Sequence, residues 1–298
     1  MNASKPPDRD GVGPSCVGLP PGPWPTMLDF FAERFPAITR GTWHQRMVQG
    51  LVVDEQGVPV SAERAYQGHL RVYYYRAVAT EPRIAFEEVV LYQDEHLLVA
   101  DKPHFLPVVP SGNYLVETLL VRLRQKLRLN ELTPIHRIDR DTAGVVLFSL
   151  QSETRAHYHE MFAKRKVDKS YEAIAPWRAD LALPLTRESR IVEADHFMLQ
   201  HEVSGAVNAI THIDVIEMRG ALARYRLIPV TGKRHQLRVH MAAIGLPILG
   251  DGLYPTLTPE GEINYAQPLQ LLAKSIEFTD PLSGQRRRFE SGRELMQF

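Results

Sequence analysis

The sequence predicts an α+β protein whose larger part is an antiparallel or mixed sheet carrying few helices. Short apolar runs recur at hairpin-like spacing over the C-terminal two-thirds: VVLYQ at 89–93, HLLVADKP at 96–103, GVVLFSL at 144–150, KSYEAIA at 169–175, NAITHIDVIEM at 208–218, LARYRLIPV at 222–230 and LLAKSIEF at 271–278. Their length and β-branched content suit strands. Helical apolar spacing is confined to a few stretches, so strands do not alternate regularly with helices as a parallel α/β sheet requires. No internal repeat is present.

Three segments follow from composition. Residues 1–26 are Pro- and Gly-rich, bury little apolar surface and are expected to form a mobile tail. Residues 27–82 read as a small α+β module. LDFFAERF has helical spacing from Met27, and Thr42 is an N-cap candidate before WHQRMVQG, which Gly50 can terminate. LVVDEQGVPVS then reads as strand, turn and strand around Gln56-Gly57, and LRVYYYR at 70–76 as a further strand. Residues 83–298 form the larger unit. Within it YLVETLLVRLRQKLRL at 114–129 predicts a helix, and Ser152 followed by Glu153 starts another that runs to Lys166.

The 298 residues carry 35 basic and 35 acidic side chains, which argues against a uniformly positive coat but leaves room for a local basic groove. No run approaches the roughly 20 apolar residues of a membrane helix, and no secretory signal pattern opens the chain. One cysteine, Cys16, excludes an internal disulfide framework and a thiolate metal cluster. A reducing, cytoplasmic setting is expected.

Three clusters carry candidate chemistry. In HRIDRDTAGVVLFSL, residues 136–150, the charges of His136, Arg137, Asp139, Arg140 and Asp141 lead directly into an apolar strand. Such charges either cap the strand at the surface or hold a site at its mouth. In TGKRHQLRVHMAAIGLPILGD, residues 231–251, helical spacing puts Arg234, His235 and Arg238 on one face, opposite Leu237, Met241 and Ile244. That face is a solvated surface or an anion clamp. In KSYEAIA, Lys169 and Tyr171 share one strand face, where a tyrosine packs or contacts a ligand.

Taken together, these segments resemble the RluA-type pseudouridine synthases. The His-Arg-Leu-Asp-x-x-Thr-Ser-Gly motif of that family stands here as His136-Arg137-Ile138-Asp139-Arg140-Asp141-Thr142-Ala143-Gly144. Its Thr-Gly-Arg-Thr-His-Gln-Ile-Arg-Val-His run, ending in Gly-Asp and Tyr, is TGKRHQLRVHMAAIGLPILGDGLY. Lys-x-Tyr-x-Ala is KSYEA, and the entry motif is DEHLLVADKP. Order and spacing match over roughly residues 86–280. The departures are Ala143 for Ser, Ile138 for Leu and Lys233-Arg234 for Arg-Thr.

The resemblance implies a pseudouridine synthase fold and isomerisation of uridine to its C-glycoside in rRNA or tRNA, with no cofactor and no metal. It assigns the essential carboxylate to Asp139, acting as nucleophile on the sugar or in forming a glycal, and places Arg238 against it. Tyr171 would contact the target nucleotide, and Arg137 the RNA around a flipped base. His136, Thr142, His235 and Lys169 would complete the substrate contacts. The expected partner is RNA, with no membrane and no obligate protein partner.

Residues 27–80 resemble the small RNA-binding module named after a small-subunit ribosomal protein, through Arg46, Met47, Gly50, Val52, Val53 and Gly68. A module that has lost RNA affinity is the alternative. Arg122, Arg124, Arg128, Lys164, Arg165, Lys166, Arg286, Arg287 and Arg288 line an RNA path or belong to ordinary solvated faces. Two other functions compete: a catalytically silent RNA-binding or ribosome-assembly protein, and a glycoside hydrolase pairing Asp139 with Asp141 or Asp101.

Overall fold

A computed structural model describes residues 6–9, 11–76, 81–258 and 264–296. The chain divides into two units, one of residues 1–82 with 110–116, the other of residues 83–109 with 117–298.

In the smaller unit β1 (Ser15–Gly18), α1 (Met27–Arg34), α2 (Arg40–Val48), β2 (Val52–Asp54) and β3 (Arg71–Tyr74) follow in order. The sheet is antiparallel, with β3 between β1 and β2. Thr26 starts α1 through a capping box: its hydroxyl accepts from the Asp29 amide while the Asp29 carboxylate accepts from the Thr26 amide. The core centres on fully buried Trp43, whose ring lies 4.5 Å from Phe31, 5.4 Å from Phe35 and 5.3 Å from Tyr74. Aromatic burial of this kind holds a module too small for a large aliphatic core.

Two expectations change here. The segment 1–26 is not all tail. Residues 1–5 and 10 lie outside the described residues, as do 77–80, but Ser15–Gly18 pairs in full register with β3, and Leu19 is buried. Proline-rich composition hid the apolar anchors Val17, Leu19 and Trp24, which pack on this core. The cap of α2 is Thr39, whose hydroxyl accepts from the Thr42 amide, so Thr42 lies inside the helix.

The larger unit is built on one mixed sheet. Its strands are β4 (Val89–Gln93), β5 (Leu97–Lys102), β6 (Thr133–Pro134), β7 (Ala143–Ser149), β8 (Val167–Pro176), β9 (Leu185–Glu193), β10 (Gln200–Val203), β11 (Ala209–Arg219), β12 (Leu222–Pro229), β13 (Leu271–Thr279) and β14 (Arg286–Glu290). Their order is β10-β9-β11-β12-β8-β13-β7-β5-β4, with β14 beside β13 and β6 beside β7. The β13–β7 pair is parallel and the rest are antiparallel. Three helices join them: α3 (Leu119–Leu127), α4 (Ser152–Ala163) and α5 (Gln236–Ala243). This is the expected α+β class.

Alternation along the strands decides where the helices sit. Ala173, Ala175, Tyr225 and Leu227 form a core with Leu237 and Met241 of α5. Leu97, Val99, Val145 and Leu147 form another with Tyr158 and Met161 of α4. Ile174, of opposite parity to Ala173 and Ala175, packs with Ala143, Leu272 and Leu295. The helix expected from residue 114 begins at Leu119 because Thr118 caps it, its hydroxyl accepting from the Val121 amide.

At the centre of the sheet β7 starts under a tight constraint. Gly144 has φ +116°, and a Cβ there would lie 2.2 Å from the Ala273 carbonyl oxygen, in the register that pairs β7 with β13. The loop that precedes β7 therefore reaches the sheet only through glycine. Gly144→Ala is expected to lower unfolding free energy by more than about 2 kcal/mol, measured by urea denaturation. A variant within 0.5 kcal/mol of the wild type, on the order of a neutral surface change, would show that the strand pair can part at no cost.

Candidate active site

The loop between β6 and β7 presents Asp139 and is tied down on both sides of it. Upstream, the Ile135 amide donates to Leu147 O at 2.9 Å, and the Leu147 amide donates to His136 Nε2 at 3.1 Å. The His136 ring also stacks on Phe162 at 4.8 Å. Downstream, the Thr142 amide donates to Asp139 O at 3.2 Å, closing a turn over the buried Thr142 side chain. Lys102, fully buried at the end of β5, gives its Nζ protons to the carbonyls of Pro103, Leu106 and Arg140 at 2.9, 2.7 and 2.8 Å. His104 Nδ1 donates to Asp141 O at 2.7 Å. Backbone carbonyls on either side of the Arg140–Asp141 bond are thus held by cationic or neutral nitrogen donors rooted in the sheet.

Arg238 stands behind this loop on α5. Its Nε and Nη2 donate to Asp251 at 2.8 and 2.6 Å, a bidentate grip between side chains only 2% and 0% exposed. The remaining nitrogen, Nη1, lies 3.6 Å from Asp139 Oδ2, whose side chain is 27% exposed. Asp251 Oδ1 also accepts from the Leu253 and Tyr254 amides. Gly250, at φ +75°, admits no Cβ, because one would stand 2.4 Å from Pro268 O. Burial works against the Arg238 charge, but the Asp251 hydrogen bonds and charge, followed by Asp139 and Asp141, raise its pKa well above the usual arginine value.

His235 completes the pair's surroundings. It adopts φ 54° just before α5, with Nε2 3.9 Å from Asp139 Oδ1 and Nδ1 2.9 Å from the Tyr254 hydroxyl. That hydroxyl also accepts from the Gln200 amide at 2.8 Å, so Tyr254 ties the imidazole to the start of β10. Burial lowers the His235 pKa, partly opposed by Asp139. Gln236 secures the turn beneath: its Oε1 accepts from Thr231 Oγ1 and the Lys233 amide, and its Nε2 donates to Ile210 O and Thr211 Oγ1.

Tyr171 on β8 is half-buried; burial first and the Asp139 charge second push its phenol well above the usual range, so it stays protonated. Lys169, two residues earlier, has its pKa lowered by burial and by Arg165. Asp141 is pulled the other way: burial would raise it, yet Arg140, then Arg238 and Lys102, hold it below the ordinary carboxylate value. The arrangement offers one accessible carboxylate, a fixed guanidinium behind it, and a neutral phenol and imidazole beside it.

Asp139, Arg238, His235 and Tyr171 are thus gathered as expected, and Thr142 and Lys169 flank them. His136 instead spends one ring nitrogen and one ring face on the fold, and Arg137 is exposed. Arg234, His235 and Arg238 do not share a helical face, since α5 begins only at Gln236 and Arg234 lies in the preceding turn. Asp101, weighed as a second acid, is occupied by Ser291 Oγ, the Gly292 amide and Arg293. Of the basic residues considered for an RNA path, three serve the fold. Arg122 is held by Glu117 and Glu88, Arg124 by Leu132 O, and Arg287 by Asp94 and Asp280. Asp251, Lys102 and Tyr254 were not anticipated as site residues, although each lies in a quoted motif: Gly-Asp, Lys-Pro and the closing Tyr. Among the described residues no group of three or more His, Cys, Asp or Glu side chains is placed to hold a metal ion, and no helix is long and apolar enough to cross a membrane.

An accessible carboxylate, Asp139, thus faces a buried and anchored arginine at the mouth of a mixed sheet. The family model described as RNA pseudouridylate synthase matches residues 96–243, which include Asp139, Tyr171, His235 and Arg238. The chain is 31% identical to the dual-specificity RNA pseudouridine synthase RluA of Haemophilus influenzae, over 68% of this chain and 91% of that one. It is 34% identical to the tRNA pseudouridine synthase C of Vibrio cholerae, over 66% and 87%. Human RNA pseudouridylate synthase domain containing 4 superposes with a TM-score of 0.53 at 25% identity, covering 70% of this chain and 88% of that one. The chain belongs to the RluA-type family of RNA pseudouridine synthases, isomerases that convert uridine in RNA to pseudouridine.

Burial leaves an acid-sensitive signature. Burial, then the Lys169 charge, lowers His136 to about 3, and burial lowers His240 to about 4 although Glu202 opposes it. Both histidines bind a proton more readily in the unfolded chain, near the ordinary histidine value of 6.5. The stability these two neutral histidines contribute is therefore fully present above about pH 6.5 and is lost as pH falls, through about 4 for His240 and about 3 for His136. Urea midpoints measured across that window should decline, and His240→Gln should flatten the decline. An unchanged slope in the variant would remove His240 as a cause.

Proposed function

We propose that Asp139 is the carboxylate through which this synthase isomerises uridines of folded rRNA or tRNA in the cytoplasm. The carrying observation is the ion pair of Asp139 with Arg238 at 3.6 Å, formed by the accessible carboxylate of the loop and a guanidinium anchored at its back by Asp251. The reaction breaks the N-glycosidic bond, turns the uracil within the site and forms a carbon–carbon bond. An ionised carboxylate is needed when the bound base excludes water. Arg238 faces that carboxylate, and its planar fork keeps the positive charge in one place. The carboxylate then serves as nucleophile on the sugar or as the group that promotes a glycal.

Tyr171, kept protonated, contacts the target nucleotide and offers a hydroxyl proton. His235 stands beside the carboxylate with Nε2 3.9 Å from it, and Lys169 and exposed Arg137 meet phosphates around a flipped nucleotide. Thr142 supports the loop from beneath. The choice of rRNA or tRNA is supported by relatives named for dual specificity, for tRNA and for the large ribosomal subunit. The cytoplasmic setting is supported by a single free cysteine, Cys16.

Asp139→Asn is expected to reduce pseudouridine formation about a thousandfold or more while Tm and RNA affinity stay near wild type. Tritium release from RNA labelled at uridine C5 reads the turnover. Arg238→Lys should lose about a hundredfold, in line with removal of one preorganised electrostatic partner, because an ammonium cannot grip Asp251 and face Asp139 together. Near-normal turnover by the Asn variant would rule out Asp139 as the essential carboxylate.

A further inference from the structure

We propose that the turn joining β9 and β10, with Phe197 at its tip, is a stacking platform for an unpaired RNA base next to the target uridine, and that Arg234 positions it. The proposal rests on the reading of Asp139 as the reaction centre. Phe197 is 73% exposed, among the most open large apolar side chains of the described residues. It is not loose. Its ring is stacked on His196 at 5.1 Å and 27°, so one face is backed while the other is free to take a base.

Hydrogen bonds connect the turn to the reaction centre. Within it, the Leu199 amide donates to His196 O at 2.8 Å and the Ala194 amide to Leu199 O at 3.1 Å. From outside, Arg234 Nη1 and Nη2 donate to the carbonyls of Phe197 and Met198 at 2.9 and 3.3 Å. At its downstream end the Gln200 amide donates to Tyr254 OH, which bonds His235, whose Nε2 is 3.9 Å from Asp139. Arg234 and His235 are sequence neighbours, so one short turn holds both the carboxylate's imidazole neighbour and the aromatic tip. The turn is thus tied by hydrogen bonds to the residues beside Asp139, and its proposed occupant is the RNA strand that brings the target uridine there.

Arg234 is also one of the positions at which this chain departs from the family pattern, which has Thr. A threonine hydroxyl is too short to bridge two carbonyls on a neighbouring turn. The clamp holds the turn without touching Asp139, so it suits selection among RNAs rather than the bond-breaking step. Stacking tolerates any base, so the selection is for an unpaired, accessible nucleotide at a fixed distance from the target uridine.

The test uses the full chain and separates binding from turnover. Affinity for a short labelled oligouridylate is read by fluorescence anisotropy, and turnover by tritium release from bulk cellular RNA lacking the modification. Phe197→Ala should weaken binding and raise KM about fivefold to a hundredfold, the worth of one base–aromatic stack, with kcat within about twofold. Phe197→Trp should restore both. Arg234→Thr should move KM in the same direction, and the double variant should go no further than Phe197→Ala alone. Unchanged affinity and KM in Phe197→Ala overturn the platform while leaving the activity standing, as does an effect on self-association without one on RNA binding. If the wild type binds but does not turn over, the proposed function fails, while weaker binding by Phe197→Ala still supports the platform.

Discussion

A guanidinium enclosed in a protein interior persists when a carboxylate accepts its hydrogen bonds and balances its charge, and Arg238 meets that condition with Asp251. Much else is arranged around this pair. Leu237 and Met241 bury their side of α5 in the sheet and so fix the helix that carries the arginine. Gly250 gives the chain the only backbone that brings Asp251 into place beside Pro268. With two nitrogens committed to a buried partner, the third is free to face Asp139 without being able to swing away. Losing one member of such a pair typically costs about 3–5 kcal/mol, because the other is left charged and unpartnered. The site is thus made rigid by the same contacts that make it electrostatically suited to a carboxylate.

The loop that carries Asp139 shows the same economy of means. It leaves β6 under the hand of His136, enters β7 through Gly144, and is held between by Lys102 and His104 through main-chain carbonyls. Anchoring of the loop through its main chain lets Asp139 and Arg137 face outward while the loop stays tied to the sheet. On the other side of the cleft the 231–235 turn is pinned by Gln236 and in turn holds the β9–β10 turn through Arg234. Rigidity passes from the core outward in both directions, and the exposed groups are those left for substrate.

Much of this was legible in sequence. The strands at 89–93, 97–102, 143–149 and 271–279 have apolar runs bounded by turn residues, and local pattern suffices to place them. The strands β9, β10 and β14 escaped because they are rich in charge: LTRESRIVE and RRRFE alternate polar and half-buried positions on solvated parts of the sheet, where hydrophobic periodicity is weak. The Ser15–Gly18 strand escaped because neighbouring prolines dominate its composition, although its apolar residues lie on an aromatic core. Among site residues, Asp139, Arg238, His235 and Tyr171 stood out from motif order. Asp251 and Lys102 lay in the same motifs, but nothing local distinguishes a carboxylate that grips an arginine from one that caps a turn.

The sequence by itself determined the α+β class and the family, and pointed to the loop proposed to carry the carboxylate, because strand periodicity and motif order are local properties read along one chain. Tertiary structure decided which charges meet. Arg122, Arg124 and Arg287 look like RNA contacts in sequence, yet they are consumed by internal carboxylates and carbonyls. Arg234 looked like part of a helical face, yet it clamps a turn some 36 residues upstream. Such outcomes depend on burial and on partners brought together by the sheet order, and electrostatic partnership falls off over a few ångströms in space with no regard for distance along the chain.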